Sequence, residues 1–187
     1  MKVRCFVNGI LCDKYEEHCG LFRISNPELG ANFLKPNGEL ISNEWYMNAN
    51  DFHCGFAVVQ LAENVWNYLK IDGYLLNNEE YVEAWNFENG LALVAIGEIK
   101  EQAIWNFLKT DETYLYQEWF KKVERLLGIP AWKVQRQDGK WNFATIAGEI
   151  ICKEWYRDVR ELVYSVLQVQ KDDGNWYTLN ENGEIID

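Results

Sequence analysis

Short apolar runs, separated by polar and glycine-containing stretches, recur along most of this chain. LALVAI (91–96), AIWNFL (103–108) and TYLYQ (113–117) are each five or six residues long and rich in aliphatic, β-branched and aromatic side chains. Runs of this length and composition are typical of β-strands. The pattern therefore predicts three strand segments in every stretch of about 35 to 39 residues.

Asn-Gly and Asp-Gly pairs separate the second and third segments of several stretches. They occur in LKPNGELI (34–41), LKIDGYLL (69–76) and LNENGEII (179–186). Such pairs supply the positive φ angles that a tight hairpin turn requires, so each stretch is predicted to contain a β-hairpin. A further hairpin is expected around Asn8-Gly9.

The segment after the third predicted strand shows a different period. In QEWFKKVERLLG (117–128), apolar residues recur at helical spacing, and Gly128 is suitably placed to end a helix. EWYRDVRELVY (154–164) shows a similar face. The pattern predicts a short helix in each of these two segments.

A Trp-Asn-aromatic motif recurs five times, with divergent copies at both ends. The copies begin at Ala31, Trp66, Trp105, Trp141 and Trp176. Seven residues later stand Gly38, Gly73, Glu112, Gly148 and Gly183. Each repeat is closed in turn by Gly20, Gly55, Gly90, Gly128 and Ser165. This regularity predicts a tandem repeat of about five three-stranded or hairpin units with a period of 35–39 residues.

The repeats predict a single domain over residues 1–187, mainly β with short helices, in which units stack around a shared aromatic core. Residues 1–20 form an N-terminal capping hairpin, and the units that follow are 21–55, 56–90, 91–128, 129–165 and a partial unit, 166–187. Stacking is expected because one small unit cannot bury its own apolar face. The expected core residues are Trp66, Trp105, Trp141, Trp176, Phe33, Tyr68, Phe107 and Phe143.

The charge balance narrows the classes of partner. The formal net charge is −11 and the sequence pI about 4.7, so the field of the protein repels nucleic-acid phosphates and favours a basic protein. The N-terminal residues lack the apolar stretch of a signal peptide, and five cysteines, an odd number, fit a reducing compartment. We expect a cytoplasmic protein with no direct contact to nucleic acid or membrane.

FENGLALV (87–94) and DGKWNFATIAGEII (138–151) resemble the WG repeat (KWG) of bacterial proteins, and the resemblance extends loosely from about residue 20 to the end. The chain departs from that repeat where Gly follows Trp, because Asn67, Asn106, Asn142 and Tyr177 stand there. The resemblance implies a β-rich repeat module of bacteria or their phages that is associated with binding. It carries no catalytic residue to this chain.

A second resemblance concerns the C-terminal segment DDGNWYTLNENGEIID (172–187). It is similar to the cell-wall (choline) binding repeat, in which aromatic side chains cage a quaternary ammonium group. That repeat has a shorter period than the one in this chain. The resemblance implies a glycan or small ligand as an alternative partner.

The sequence lacks common catalytic and ligand-binding motifs. It has no phosphate-binding glycine loop, no His-Glu-x-x-His and no nucleophile elbow. His18-Cys19 and His53-Cys54 lie one period apart and raise the alternative of a zinc site. Adjacent side chains of an extended chain point to opposite faces, which argues against shared coordination. We therefore expect no cofactor, no metal and no enzymatic activity.

These observations favour a non-enzymatic acidic repeat module that binds a basic protein, for example as an inhibitor or immunity-type protein of a nuclease or toxin. The expected binding residues are Glu44, Trp45, Glu79, Glu80, Glu118, Trp119, Glu154 and Trp155. The alternative is glycan or choline-like ligand binding through exposed aromatic residues. A hydrolase with an unrecognised site would need a His or Cys in a cleft.

Overall fold

The computed structural model describes residues 2–162, 166–180 and 182–186. The protein is almost entirely β in these residues, and its strands form five small antiparallel sheets. The β-rich, repeat-like fold expected from the sequence is confirmed. The one helix in the described ranges is a 3₁₀ turn at Lys100–Gln102.

The five sheets follow one another along the chain, and the strands of each sheet pair in sequence order. The first sheet contains β1 (Val3–Val7), β2 (Ile10–His18), β3 (Leu21–Asn26) and β4 (Gly30–Leu34). The second contains β5 (Asn48–Ala49), β6 (Phe56–Ala62) and β7 (Val65–Lys70), and the third contains β8 (Glu83–Ala84), β9 (Leu91–Ile96) and β10 (Ile104–Lys109). The fourth contains β11 (Lys122–Arg125), β12 (Ala131–Gln135) and β13 (Trp141–Thr145), and the fifth contains β14 (Asp158–Glu161), β15 (Leu167–Gln170) and β16 (Trp176–Thr178).

The chain divides into two compact units. The first unit comprises residues 1–103 and 107–113, and the second comprises residues 104–106 and 114–187. The division passes through β10. The sequence pattern does not indicate this division, because the repeat continues through it.

The two segments predicted to be helical contain strands instead. Residues 117–128 include β11, which pairs with β12 so that Val123 lies opposite Val134. Residues 154–162 include β14, which pairs with β15; the rest of that predicted helix, and Ser165, lie outside the described residues. Pairing with a neighbouring strand outweighs the helical period, because the helix propensity of so short a segment is worth little.

The prediction of a third strand after the turn of each repeat is also wrong. After the turn at Gly38, Leu40 forms only an isolated bridge with Leu34, and TYLYQ (113–117) contains no strand. The segments predicted as helices and their counterparts supply the missing strands, β5, β8, β11 and β14. Each of these strands belongs to the end of one predicted repeat and pairs with the start of the next. Neighbouring repeats are therefore joined by backbone hydrogen bonds as well as by packing.

The most deeply buried aromatic position lies two residues after the repeated tryptophan. Phe33, Tyr68, Phe107 and Phe143 are each at most 1% exposed, as predicted. Of the four tryptophans predicted for the core, Trp141 is 8% exposed and belongs to a buried cluster, whereas Trp66, Trp105 and Trp176 are only half-buried. All four tryptophans are the first or second residue of their strands.

Candidate functional site

A buried asparagine occupies the same position in four repeats. Asn32, Asn67, Asn106 and Asn142 are each at most 1% exposed. Every one of these side-chain amides donates two hydrogen bonds, at 2.8–3.2 Å, to the backbone carbonyls ten and twelve residues further along. The acceptors are Ser42 and Glu44, Asn77 and Glu79, Tyr116 and Glu118, and Cys152 and Glu154. A buried amide with both donors satisfied holds its acceptors in place, because breaking either bond leaves a polar group unpaired.

These bonds fix four loops, which we call the Asn-held loops: residues 42–45, 77–80, 116–119 and 152–155. The residue that follows each loop exchanges two backbone hydrogen bonds with the residue that precedes the buried asparagine. The four pairs are Tyr46 with Ala31, Tyr81 with Trp66, Phe120 with Trp105, and Tyr156 with Trp141. Each loop is therefore held both at its middle and at its end. The backbone that carries a loop side chain is therefore in place before any partner arrives.

All eight residues predicted to bind a partner lie on the Asn-held loops, at the third and fourth positions. They are Glu44 and Trp45, Glu79 and Glu80, Glu118 and Trp119, and Glu154 and Trp155. The five carboxylate side chains are exposed, and the three tryptophans are half-buried. Two of these loops belong to each compact unit.

The three loop tryptophans are each covered on one side by other groups. Trp45 packs against the buried cluster around Ile24. The ring of Trp119 meets the ring of Tyr114 edge-on, with centroids 4.7 Å apart. Trp155 lies beneath the guanidinium of Arg136, 5.1 Å from the ring centroid. Part of the surface of each ring is therefore occupied by contacts within the protein. The sequence alone did not indicate these contacts.

Acidic residues are concentrated in the first unit. It carries eight Lys and Arg against seventeen Asp and Glu, a formal charge of −9, whereas the second unit carries ten against twelve, a formal charge of −2. Within the first unit, Glu44, Glu79 and Glu80 present their carboxylates on loops whose backbone is fixed. Most of the net negative charge of the protein therefore lies in the first unit.

Two Asn-held loops of the second unit begin on buried titratable side chains. Burial raises the pKa of the Tyr116 hydroxyl to about 12, with a further contribution from the charge of Glu149. The same hydroxyl donates a hydrogen bond of 2.7 Å to the carbonyl of Thr145. Burial also raises the pKa of the Cys152 thiol to about 12. Both groups are neutral at physiological pH and serve to anchor their loops.

An open cleft of about 620 Å³ borders the last Asn-held loop. Ten residues of the second unit line it, eight of them charged and two aromatic. They include Glu154 and Trp155 among the predicted binding residues. The cleft is the place where a predicted binding tryptophan meets a cavity large enough for a small ligand.

The histidine and cysteine pairs lie at equivalent turns of the first unit. Cys19 and Cys54 have φ angles of 54° and 53° and precede Gly20 and Gly55, the arrangement of a tight hairpin turn. His18 Nε2 lies 3.7 Å from the Asp51 carboxylate, and the Cys19 thiol donates to the carbonyl of Phe52 at 3.6 Å. Among the residues that the structure describes, no three His, Cys, Asp or Glu side chains are grouped so that they could hold a metal ion.

No helix in the described part of the chain is long and apolar enough to cross a bilayer. No protein-family model matches the sequence, and no curated protein matches it.

Solved structures resemble the fold at low sequence identity. The computationally designed protein Ika8 is 10% identical over 94% of this chain and 69% of that chain, with a TM-score of 0.40. The designed protein Ika4 is 13% identical over 68% and 86%, with a TM-score of 0.35. BamB from Moraxella catarrhalis is 12% identical over 96% and 74%, with a TM-score of 0.36. Likenesses at this level have no bearing on function.

Proposed function

We propose that this protein is a non-enzymatic binding module whose acidic first unit docks on a basic surface of another protein. The observation that carries the proposal is the formal charge of −9 in that unit, together with the exposed Glu44, Glu79 and Glu80 on loops fixed by buried asparagines. Because the backbone that carries them is fixed, these carboxylates lose less conformational freedom on binding than carboxylates on a mobile loop would, and they pair well with arginine and lysine.

A basic surface that normally binds nucleic acid is the natural counterpart of such a unit. Lys and Arg side chains that hold phosphates accept carboxylates with similar geometry. An inhibitor or immunity-type protein that occupies the cationic site of a nuclease or toxin would use this chemistry. The resemblance to WG repeats, with its association with binding in bacteria and their phages, and a cytoplasmic location belong to the same proposal.

The test is capture of partners from host lysate on the immobilised protein, with stepwise salt elution and mass spectrometry. We expect a basic protein that is released as the ionic strength rises, because exposed charge pairs are screened over about 8–10 Å at physiological salt. If the captured protein is a nuclease or toxin, its activity is expected to fall when this protein is added. Capture of acidic or salt-insensitive proteins alone would refute the proposal.

A matched pair of variants separates docking by the loops from general charge attraction. The triple variant Glu44→Gln, Glu79→Gln and Glu80→Gln removes three negative charges from the Asn-held loops. The control, Glu28→Gln, Glu63→Gln and Glu98→Gln, removes three exposed negative charges elsewhere in the same unit. We expect the first variant to lose the basic partner and the control to keep it. Equal loss in both would mean that only net charge matters.

A second candidate function is the binding of a small ligand by loop tryptophans. It is favoured by one observation, the position of Trp155 on the wall of the 620 Å³ cleft. Isothermal titration with sugars and choline tests it, and a Trp155→Ala variant that binds as well as the unaltered protein would reject it.

A further inference from the structure

The cleft beside Trp155 gathers positive charge from three separate segments. Arg136 and Lys140 lie in the turn between β12 and β13, Arg157 immediately precedes β14, and Lys171 follows β15. These four are cationic side chains within a unit whose formal charge is −2. Their convergence on one cavity is a property of the folded chain, since 35 residues separate the first from the last.

The backbone around these cations is fixed. The amide of Arg136 donates to the carbonyl of Lys140 at 2.9 Å, that of Arg157 to Gln170 at 2.9 Å, and that of Lys171 to Asn175 at 3.2 Å. Arg136 is oriented further by a cation–π contact with Trp155 and by Glu118, whose carboxylate lies 3.6 Å from its Nε. A ligand would therefore meet cationic groups carried on a rigid frame.

Two acidic residues of the cleft are engaged in turns of the chain. The Asp138 carboxylate accepts the backbone N–H of Lys140 at 3.0 Å. The Asp173 carboxylate accepts the N–H of Asn175 and the hydroxyl of Tyr177, each at 2.8 Å, and the first of these bonds contributes most to lowering its pKa. These carboxylates stabilise turns and remain charged, so the four cations and four carboxylates that line the cleft balance in formal charge, and a ligand is selected by where each charge lies.

The other two acids face the cavity in a different way. Asp172 is largely exposed and its carboxylate lies 3.6 Å from the ammonium of Lys140, and Glu154 is exposed on its Asn-held loop. Carboxylates at the edge of a cavity can accept hydrogen bonds from hydroxyl groups. The cleft thus combines cations, hydroxyl acceptors and the indole of Trp155 in one open cavity.

We propose that this cleft binds an acidic sugar, a sugar ring that carries a carboxylate or a phosphate group. The anionic group pairs with Arg157 and Lys171, the hydroxyl groups donate to Asp172 and Glu154, and the apolar face of the ring lies against Trp155. The volume of about 620 Å³ suits a mono- or disaccharide. The proposal rests on the second candidate function and specifies its ligand class. It is independent of the basic partner proposed for the first unit.

Isothermal titration of the full chain with four probes tests the proposal: glucuronate, glucose 6-phosphate, glucose and inorganic phosphate. We expect one or both of the acidic sugars to bind with a dissociation constant of about 1 mM or below, and glucose and phosphate to bind at least about tenfold more weakly. Glucuronate alone would identify a sugar carboxylate, and glucose 6-phosphate alone would identify a sugar phosphate. Both results support the proposal.

Paired variants locate the site. Arg157→Ala with Lys171→Ala removes two cations of the cleft, and Lys121→Ala with Lys122→Ala removes two exposed cations outside it in the same unit. We expect the affinity for the acidic sugar to fall about tenfold or more in the first variant and to change less than about twofold in the control.

Several results would overturn the proposal. Glucose binding as tightly as glucuronate, and lost in Trp155→Ala, would leave the second candidate function standing with a neutral sugar as its ligand. Inorganic phosphate binding as tightly as glucose 6-phosphate would indicate a plain anion site. Heats indistinguishable from dilution for all four probes up to roughly 20 mM would exclude both the acidic sugar and the neutral one.

Discussion

A Cβ atom on Gly73 would lie 2.1 Å from the carbonyl oxygen of Ile41, a residue of the preceding predicted repeat. Gly38 occupies the equivalent turn of the first copy with nearly the same φ, +89° against +91°, yet nothing lies within 4 Å of its Cβ position. Both glycines serve the turn, but Gly73 also permits two repeats to approach each other closely. The turn glycine of the motif therefore has two separable roles.

Substituting alanine at these two positions measures the roles separately. Gly38→Ala is expected to cost about 1 kcal/mol of unfolding free energy, the strain of a left-handed residue. Gly73→Ala adds a clash with a backbone atom that cannot rotate away, so we expect a loss of about 3 kcal/mol or more. Urea unfolding followed by circular dichroism gives both values. Equal losses in the two variants would show that the contact with Ile41 contributes nothing.

Replacing a buried asparagine is predicted to cost far more stability than replacing an exposed asparagine nearby. In Asn67→Asp, the side chain that donates to the carbonyls of Asn77 and Glu79 is replaced by one without donors, which places a carboxylate against two carbonyl oxygens. We expect a loss of about 3 kcal/mol or more at pH 7. Asn78→Asp, an exposed change in the same loop, is expected to stay within about 0.5 kcal/mol.

The pH dependence of this loss identifies its cause. A protonated carboxyl group can donate one hydrogen bond, so the folded state raises the pKa of the introduced carboxyl above its ordinary value of about 3.9. Part of the lost stability should therefore return as the pH falls towards about 4. A loss in Asn67→Asp that does not depend on pH would point to altered packing instead of missing donors.

Features set by short stretches of sequence were predictable. The turn glycines adopt the expected positive φ, and Glu112, which replaces one of them, adopts a φ of 69° in the same left-handed region. The first two strands of each repeat were also visible in runs such as LALVAI, because a buried strand needs consecutive apolar or aromatic residues wherever it lies.

Features set by pairing between repeats were not predictable from one segment. The helical spacing in 117–128 is real, but β11 forms there because β12 offers backbone partners. The sequence did not predict that Asn67, Asn106 and Asn142 hold the loops in place. The available signal was the replacement of Gly by Asn after Trp in three copies. Recognising it required the loop carbonyls, which lie ten and twelve residues away and come close only in the fold.

The placement of the cysteines predicts which thiols react first. Cys19 and Cys54 are exposed at turns, whereas Cys12 and Cys152 are buried. Burial raises the pKa of both buried thiols, that of Cys152 to about 12, and only the thiolate is nucleophilic. Brief alkylation at about pH 8, followed by peptide mass spectrometry, should label Cys19 and Cys54 well before Cys152. The difference should vanish in denaturant, and early labelling of Cys152 in the native protein would contradict its burial.

Two buried groups of the second unit predict a loss of stability in alkali. Folding raises the pKa of Cys152 and of Tyr116 to about 12, above their ordinary values near 9 and 10. Above these ordinary values the unfolded chain releases protons that the folded chain retains, so the unfolding free energy must fall as pH rises. Stability is therefore expected to change little from these groups below about pH 8 and to decline between about pH 9 and 12.

Tyr116→Phe tests the tyrosine's share of this decline. The variant keeps the ring but loses the hydrogen bond to the carbonyl of Thr145, so we expect it to be about 1 kcal/mol less stable at neutral pH. It also lacks the titrating hydroxyl, and its unfolding free energy should fall less steeply than that of the unaltered protein above about pH 10. Urea unfolding at a series of pH values gives the two slopes. Parallel slopes would mean that Tyr116 ionises equally readily in the folded and unfolded chains, contrary to its burial.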